Sequence, residues 1–326
     1  MNGMTAVNAI TDEAFHLGEQ ALQARVGLRE RLAEIGPLVM RDAMPDQHRA
    51  FFAQLPFLVF GSVDTSGQPW ASVLAGPPGF AHADDARHLR VDALPTADDP
   101  LAQALKVGAP IGVLGIEPHT RRRNRMNGLL DQVDAEGFGI AVGQSFGNCP
   151  KYIERRHANF EPAMGDAASA TSNASSAMAA SSGAVRLEAL DEPALRLIAK
   201  ADTFFIATAH PQSGTDDTPS HGVDVSHRGG PSGFVRIDDQ GVLTVPDYSG
   251  NRFFNTLGNL ALNPRAGLLF IDYDSGDLLQ LAVTAEIVWT GPEVDALPGA
   301  ERLVRLRVDR MLRRPAALPL HWGRVQ

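Results

Sequence analysis

The sequence predicts a mainly β protein with peripheral helices, built as two β-rich domains in tandem. Three observations predict it: a chain of 326 residues, a series of short β-rich segments parted by turn residues, and the return of that series in the second half. A hydrophobic fraction of 44% and a charged fraction of 21% are those of a globular chain able to bury a core in each half.

The first half opens with a helical pattern over 13–35. Phe15, Leu22, Val26, Leu32 and Ile35 lie near one stripe, and Glu19, Arg25, Arg29 and Glu30 fall largely elsewhere. Gly36-Pro37 is expected to stop it, and a second short helix is expected over 45–54. Strand residues over 57–64, a turn over 65–69 and strand residues over 70–74 read as a hairpin. Further strands are expected over 87–91, 110–116, 123–133 and 137–142, with a short helix over 98–107. Between Ala163 and Val185 the chain is mostly Ala, Ser, Gly, Thr and Asn, which cannot offset its ordering entropy by burial. The expected organisation is a first domain over 1–162, a linker over 163–185 and a second domain over 186–326.

After the linker the series returns. A helix over 192–200 precedes a strand over 202–209, a turn over 214–219 and a strand over 220–225. Leu243-Thr244-Val245 answers Leu89-Arg90-Val91, 266–272 answers 109–117, and 278–289 answers 122–133. Tandem copies of this kind can pack as an internal dimer with ligand sites at the seam.

Composition narrows the function. A net charge of −9 argues against a general nucleic-acid binder and disfavours docking on anionic lipid. The single cysteine, Cys149, can form no intramolecular disulfide and no thiolate metal site, and the histidines show no paired metal spacing, so no metal is expected. Residues 1–15 lack a signal-peptide pattern, and no apolar run approaches the roughly 18 residues of a membrane helix. The expectation is a cytoplasmic protein whose partner is a small-molecule substrate or electron donor.

The chemistry concentrates in 241–264. A strand over 242–245 and a turn over 246–250 lead into a helix expected over 251–262, closed by Asn263-Pro264. A helix start fed by Ser249, Gly250, Asn251 and Arg252 offers backbone N–H groups, a hydroxyl, an amide and a guanidinium, with Asn255 close by. That suits a terminal phosphate, and ordinary N-capping by Ser249 would read the same. Upstream, Ser226-His227-Arg228-Gly229-Gly230 ends a strand in glycines that permit close approach of a flat ligand, though a surface turn would look alike.

These segments, with Pro246-Asp247-Tyr248-Ser249-Gly250-Asn251-Arg252-Phe253-Phe254-Asn255 and Asn263-Pro264 before the apolar 267–271, resemble the pyridoxamine 5′-phosphate oxidase-related FMN-binding family. The resemblance covers 201–291 and, more loosely, 55–153. It implies two tandem split β-barrels, FMN as cofactor, an oxidoreductase and a homodimeric build. It implies phosphate contacts from Ser249, Asn251 and Arg252, in the motif that also carries Asp247 and Tyr248. Ser226, His227, Arg228 and Gln280 would line the ring system, with Arg123 as the positional counterpart of Gln280 in the first half. The run Asn148-Cys149-Pro150-Lys151-Tyr152 resembles a segment near the cofactor in split-barrel relatives, so Asn148, Lys151 and Tyr152 would close the site. The family's helix-start lysine is absent and its substrate-binding C-terminus is not recognisable, departures that count against vitamin B6 oxidation and leave the expectation of FMN as it stands.

In the first half Asp98 and Asp99 stand where a phosphate would sit and would repel it, so one FMN per chain is expected, on the second half. Arg121, Arg123 and Arg125 share one face of their strand, as cleft residues or as a solvated basic edge. No catalytic residue is assigned. A flavin-binding sensor or carrier, and a haem- or deazaflavin-binding barrel, remain alternatives.

Overall fold

Strands buried on both faces tend to be apolar, and each half begins with a hairpin of buried strands, though 223–229 also carries Asp224, Ser226, His227 and Arg228. In the first, β1 (Phe57–Val63) pairs with β2 (Pro69–Ala75); in the second, β10 (Thr203–Ala209) pairs with β11 (Val223–Gly229). One face of each hairpin covers its own core, and the other covers the opposite half.

The computed structural model describes residues 14–162, 183–216 and 218–324. The first half continues through β3 (Ala81–His82), β4 (His88–Val91), β5 (Pro110–Glu117), β6 (Arg122–Val133) and β7 (Phe138–Gly147). The second continues through β12 (Arg236–Ile237), β13 (Leu243–Tyr248), β14 (Arg265–Ile271), β15 (Leu278–Val288) and β16 (Ala300–Arg314). The strand orders are β2-β1-β5-β6-β7-β4-β3 and β11-β10-β14-β15-β16-β13-β12, the same path twice. The molecule is two tandem split barrels. A short α4 (Pro100–Ala104) occupies the place in the first half that α6 (Asn255–Leu262) occupies in the second. Helices α3 (Asp46–Gln54) and α5 (Glu192–Lys200) lead into β1 and β10. Outside the two main sheets, β8 (Arg156–Phe160) pairs with the C-terminal β17 (Leu320–Arg324).

Each barrel closes on its own core, one around Phe52, Phe60 and Phe138 and the other around Phe204, Phe270 and Leu281. A third cluster, with Phe57, Val59, Leu114, Phe205 and Leu269, is the seam between them. Two glycines set its spacing. A Cβ on Gly112 would stand 2.5 Å from the Val223 carbonyl oxygen, and one on Gly267 would stand 2.5 Å from that of Pro69. Register makes these one contact seen twice: Gly61 pairs Gly112 as Ala207 pairs Gly267, and Pro69 and Val223 begin equivalent strands.

The N-terminal region departs from the sequence pattern. The single helix expected over 13–35 is two, α1 (Leu17–Arg25) and α2 (Arg29–Val39), parted at Gly27, whose φ of 71° is left-handed. Gly36-Pro37 lies inside α2 rather than ending it, with Gly36 giving room to the Phe15 ring. Glu19, expected on the polar face, is 2% exposed. The linker expected over 163–185 lies outside the described residues as far as 182, and its end already belongs to β9 (Val185–Leu187), paired with β16. Among the described residues no helix is long and apolar enough to cross a membrane.

Gly112→Ala and Gly267→Ala should each lower the unfolding free energy by about 1–3 kcal/mol, the cost of overpacking. Gly143→Ala, where a Cβ would meet nothing closer than 3.5 Å, should change it by less than about 0.5 kcal/mol. Urea unfolding of the three variants checks the contrast.

Candidate functional site

An open cleft of ≈ 930 Å³ lies where the seam meets the edge of the second barrel, and both halves line it. From the first half come Arg123 and Arg125 on β6 and the 148–152 segment after β7. From the second come the end of β11, the loop from β13 into α6, and Glu301 and Arg302 at the start of β16.

The loop into α6 takes its shape from two left-handed residues, Arg252 (φ 60°) and Phe254 (φ 66°). The Asn251 side chain accepts from the Phe253 N–H at 3.1 Å and holds the bend. These residues delay the helix expected at Asn251 until Asn255, so Ser249 is not its cap. Phe254 at the N-cap offers no side-chain acceptor, which leaves the opening N–H groups of α6 uncapped by any side chain.

Helix α1 props this loop from behind. Asn255 Nδ2 donates to Glu19 at 2.5 Å, and Gln23 Nε2 donates to the Phe253 carbonyl at 3.1 Å. Gly18 and Gly258 let the two helices touch, since a Cβ on Gly18 would stand 2.3 Å from the Gly258 oxygen. Burial, and then the Asp224 carboxylate, push the Glu19 carboxyl well above its ordinary pKa. The second carboxylate, Asp224, accepts from Arg125, Asn127 and Asn259.

Charge along the second-half wall is interleaved. Arg228 pairs with Asp247 at 2.7 Å, Asp247 lies 3.4 Å from Arg302, and Glu301 sits between Arg302 and Arg252. The Arg302 guanidinium is held between the Phe254 and Trp289 rings, and its buried Nη1 has no hydrogen-bond partner. On the first-half wall Arg123 Nη1 lies 3.1 Å from His227 Nδ1, which fixes that nitrogen as the acceptor and the imidazole as neutral. Burial and then the Arg123, Arg228 and Arg156 charges hold His227 well below its ordinary pKa. Tyr152 stacks on Tyr248 at 5.3 Å and donates its hydroxyl to the Ser249 carbonyl at 3.2 Å, tying the two halves across the mouth.

The cleft gathers twelve of the fourteen residues singled out in the sequence: Arg123, Asn148, Lys151, Tyr152, Ser226, His227, Arg228, Asp247, Tyr248, Asn251, Arg252 and Asn255. Ser249 does not line it, and its backbone carbonyl accepts from the Tyr152 hydroxyl. Gln280 is elsewhere, fully buried in the seam, where it donates to the Ala71 carbonyl at 3.0 Å and Ser72 Oγ at 3.1 Å. The reason is that this strand reaches across: β15 serves the first half, and β6 serves the second. Register also makes Arg125, not Arg123, the counterpart of Gln280, because Leu114 pairs Arg125 as Leu269 pairs Gln280. Arg125 accordingly donates to Ser226, the counterpart of Ser72. Strand β6 lies between β5 and β7, so its arginines are no edge protection. The sequence reading missed Arg302 and Glu301, which no local motif marks, and Glu19, whose helix looked peripheral.

The equivalent place in the first half is filled. Asp99 accepts from Ser72 Oγ at 2.6 Å and from the Leu101 N–H at 2.9 Å, and Arg314 of β16 closes on Asp99 and Thr96. Asp99 and Arg314 are both buried. Among the described residues no group of three or more His, Cys, Asp or Glu side chains is arranged to hold a metal ion.

The family model described as pyridoxamine 5′-phosphate oxidase matches residues 190–320. Those residues are similar to that family. The matched segment runs from α5 to the start of β17 and contains every second-half residue of the cleft. Solved structures similar to this chain include HupZ from Group A Streptococcus. It is 17% identical, the match covers 36% of this chain and 86% of HupZ, and the TM-score is 0.27. The haem storage protein HutZ of Vibrio cholerae is 16% identical over 39% of this chain and 95% of its own, with a TM-score of 0.26. A pyridoxinephosphate oxidase-family protein of Clostridium acetobutylicum, related to general stress protein 26, is 12% identical over 41% and 92%, with a TM-score of 0.27. No curated protein matches the chain.

Glu19→Gln should gain stability relative to the native chain as pH rises. A carboxyl whose folded pKa is raised loses stability from its unfolded pKa upward to its folded one, and a neutral amide does not. Between about pH 4 and pH 8 the difference in unfolding free energy should move by about 1 kcal/mol or more in favour of the variant. Urea titrations across that range measure it, and a pH-independent difference would contradict a protonated Glu19.

Proposed function

We propose that the chain is an FMN-binding flavoprotein and an oxidoreductase acting on a small molecule, with one FMN per chain. The observation that carries this reading is the uncapped start of α6, facing the cleft beside the unpartnered Nη1 of buried Arg302. Helix N–H groups, a fixed guanidinium and an exposed one are what a phosphate dianion requires. Asn251 and Arg252 would hold the phosphate with the opening N–H groups of α6, and Ser249, which does not line the cleft, would not. Ser226, His227 and Arg228 would line one side of the ring system, with Asn148 and Tyr152 closing the other. The filled pocket at Asp99 and Arg314 supports a single site, and we read the two barrels as copies of one ancestral domain.

The flavin, when bound, supplies hydride or electron transfer. The residues of the chain bind, orient and exclude water. Neutral His227 accepts from Arg123 at Nδ1, which leaves its Nε2–H as the remaining donor on a ring without charge. Asn255 and Phe253, tied to α1, keep the phosphate loop in its bend. The single free thiol, the net charge of −9 and the site's demand for a soluble nucleotide fit a cytoplasmic location.

The purified protein should show a flavin spectrum and release about one FMN per chain on heating, in keeping with an open place in the second half and a filled counterpart in the first. A Soret band or a deazaflavin spectrum would replace the cofactor, and failure to oxidise any reduced nicotinamide or other donor would favour a carrier or sensor. Arg252→Ala should weaken FMN by about 10–100-fold, the worth of one charged hydrogen-bonding partner, in a fluorescence-quenching titration.

A further inference from the structure

The cations of the cleft are not equally compensated. Arg125 faces Asp224, Arg228 faces Asp247, Arg302 faces Asp247 and Glu301, and Arg252 faces Glu301. Arg123 and Lys151 face no carboxylate within ion-pair distance among the described residues, and both belong to the first half. The one hydrogen-bonded partner of the Arg123 side chain is the neutral His227 ring, and its buried Nε has none. Lys151 is exposed at the mouth, on the segment that also brings Tyr152 over the cleft.

We propose that Arg123 and Lys151 form a second oxyanion subsite, so that the small molecule entering the cleft carries a carboxylate or a phosphate. This rests on the flavoprotein reading, which gives the phosphate of the cofactor to Arg252 and α6. It divides labour between the halves: the second binds the cofactor, and the first selects the molecule that meets it.

The energetics favour this division. Withdrawing a guanidinium from water without an anion is costly, and like charges raise the cost. Burial, followed by Arg125, pulls Arg123 down to about 10. Among the described residues only Cys149, which also lines the cleft, offsets part of that cost, and no carboxylate does. The partner across its Nη1 is an uncharged ring, and β6 is an interior strand with no need of charge against edge pairing. An oxyanion set beside the guanidinium would accept from its free N–H groups, with Lys151 adding charge from the rim.

The test uses three probes on the full-length, FMN-loaded protein: benzoate, phenyl phosphate and the neutral benzamide, each titrated by calorimetry. At least one anion should bind about tenfold or more tightly than benzamide, and the better of the two names the oxyanion. Arg123→Gln should weaken that anion by about tenfold more than it weakens FMN, and the surface variant Lys151→Gln should weaken it about threefold with the fold untouched. Equal binding of anions and amide, or no binding of either anion, would overturn the subsite. A parallel loss of FMN and anion in Arg123→Gln would do so too, by assigning Arg123 to the cofactor. If the native protein takes up no FMN, the flavoprotein reading fails by itself, and the same titrations on the flavin-free chain still decide for or against Arg123.

Discussion

The structure depends on how closely two curved sheets can approach. At Gly112 and Gly267 the missing Cβ atoms let one sheet lie directly on the first residue of the second strand of the hairpin opposite. Any side chain there would lift one barrel off the other. That contact puts β6 within reach of β11 and β15 within reach of β2, so Arg125 meets Ser226 and Gln280 meets Ser72. The cleft is therefore a product of the seam, and neither half contains it alone.

On this near-symmetric frame the two halves have parted by a few side chains. Ser226 bonds Thr256 Oγ1 at 2.9 Å at the open place, whereas its counterpart Ser72 bonds the Asp99 carboxylate at the filled one. A carboxylate needs a cation, and Arg314 supplies it from the far strand and fills the space. At the open place the hydroxyl makes no such demand. The surplus of positive charge remains available to whatever enters.

Much of the fold was legible because its signals are local. Largely apolar runs flanking Gly-containing turns mark β1, β2 and β10, and the recurrence of the series in order exposes the second barrel. The loop residues 246–255 announce themselves as a cluster of donors. What was not legible depends on reach across the chain. Gln280 looked like a cleft residue because its strand belongs to the second half, yet that strand faces the first. Arg302 and Glu301 sit in a strand with no motif and matter through the loop they flank. Glu19 reads as solvent-facing on its own helix, but α6 presents Asn255 to it and makes a buried acid tolerable. The continuation through Pro37 is likewise a tertiary outcome, since local propensity favours a stop there, whereas the break at Gly27 follows glycine's own preference.

The seam joins two halves of one polypeptide. A site shared between separate subunits vanishes when they are diluted apart, and every substitution in it is made twice. Here the tether holds the walls at an effective concentration that dilution does not alter. A change in Arg123 touches the open cleft once, and a change in Arg314 touches only its filled counterpart. One wall can therefore drift toward a new ligand while the other keeps its grip on the old one, a freedom that a symmetric pair of identical chains does not have.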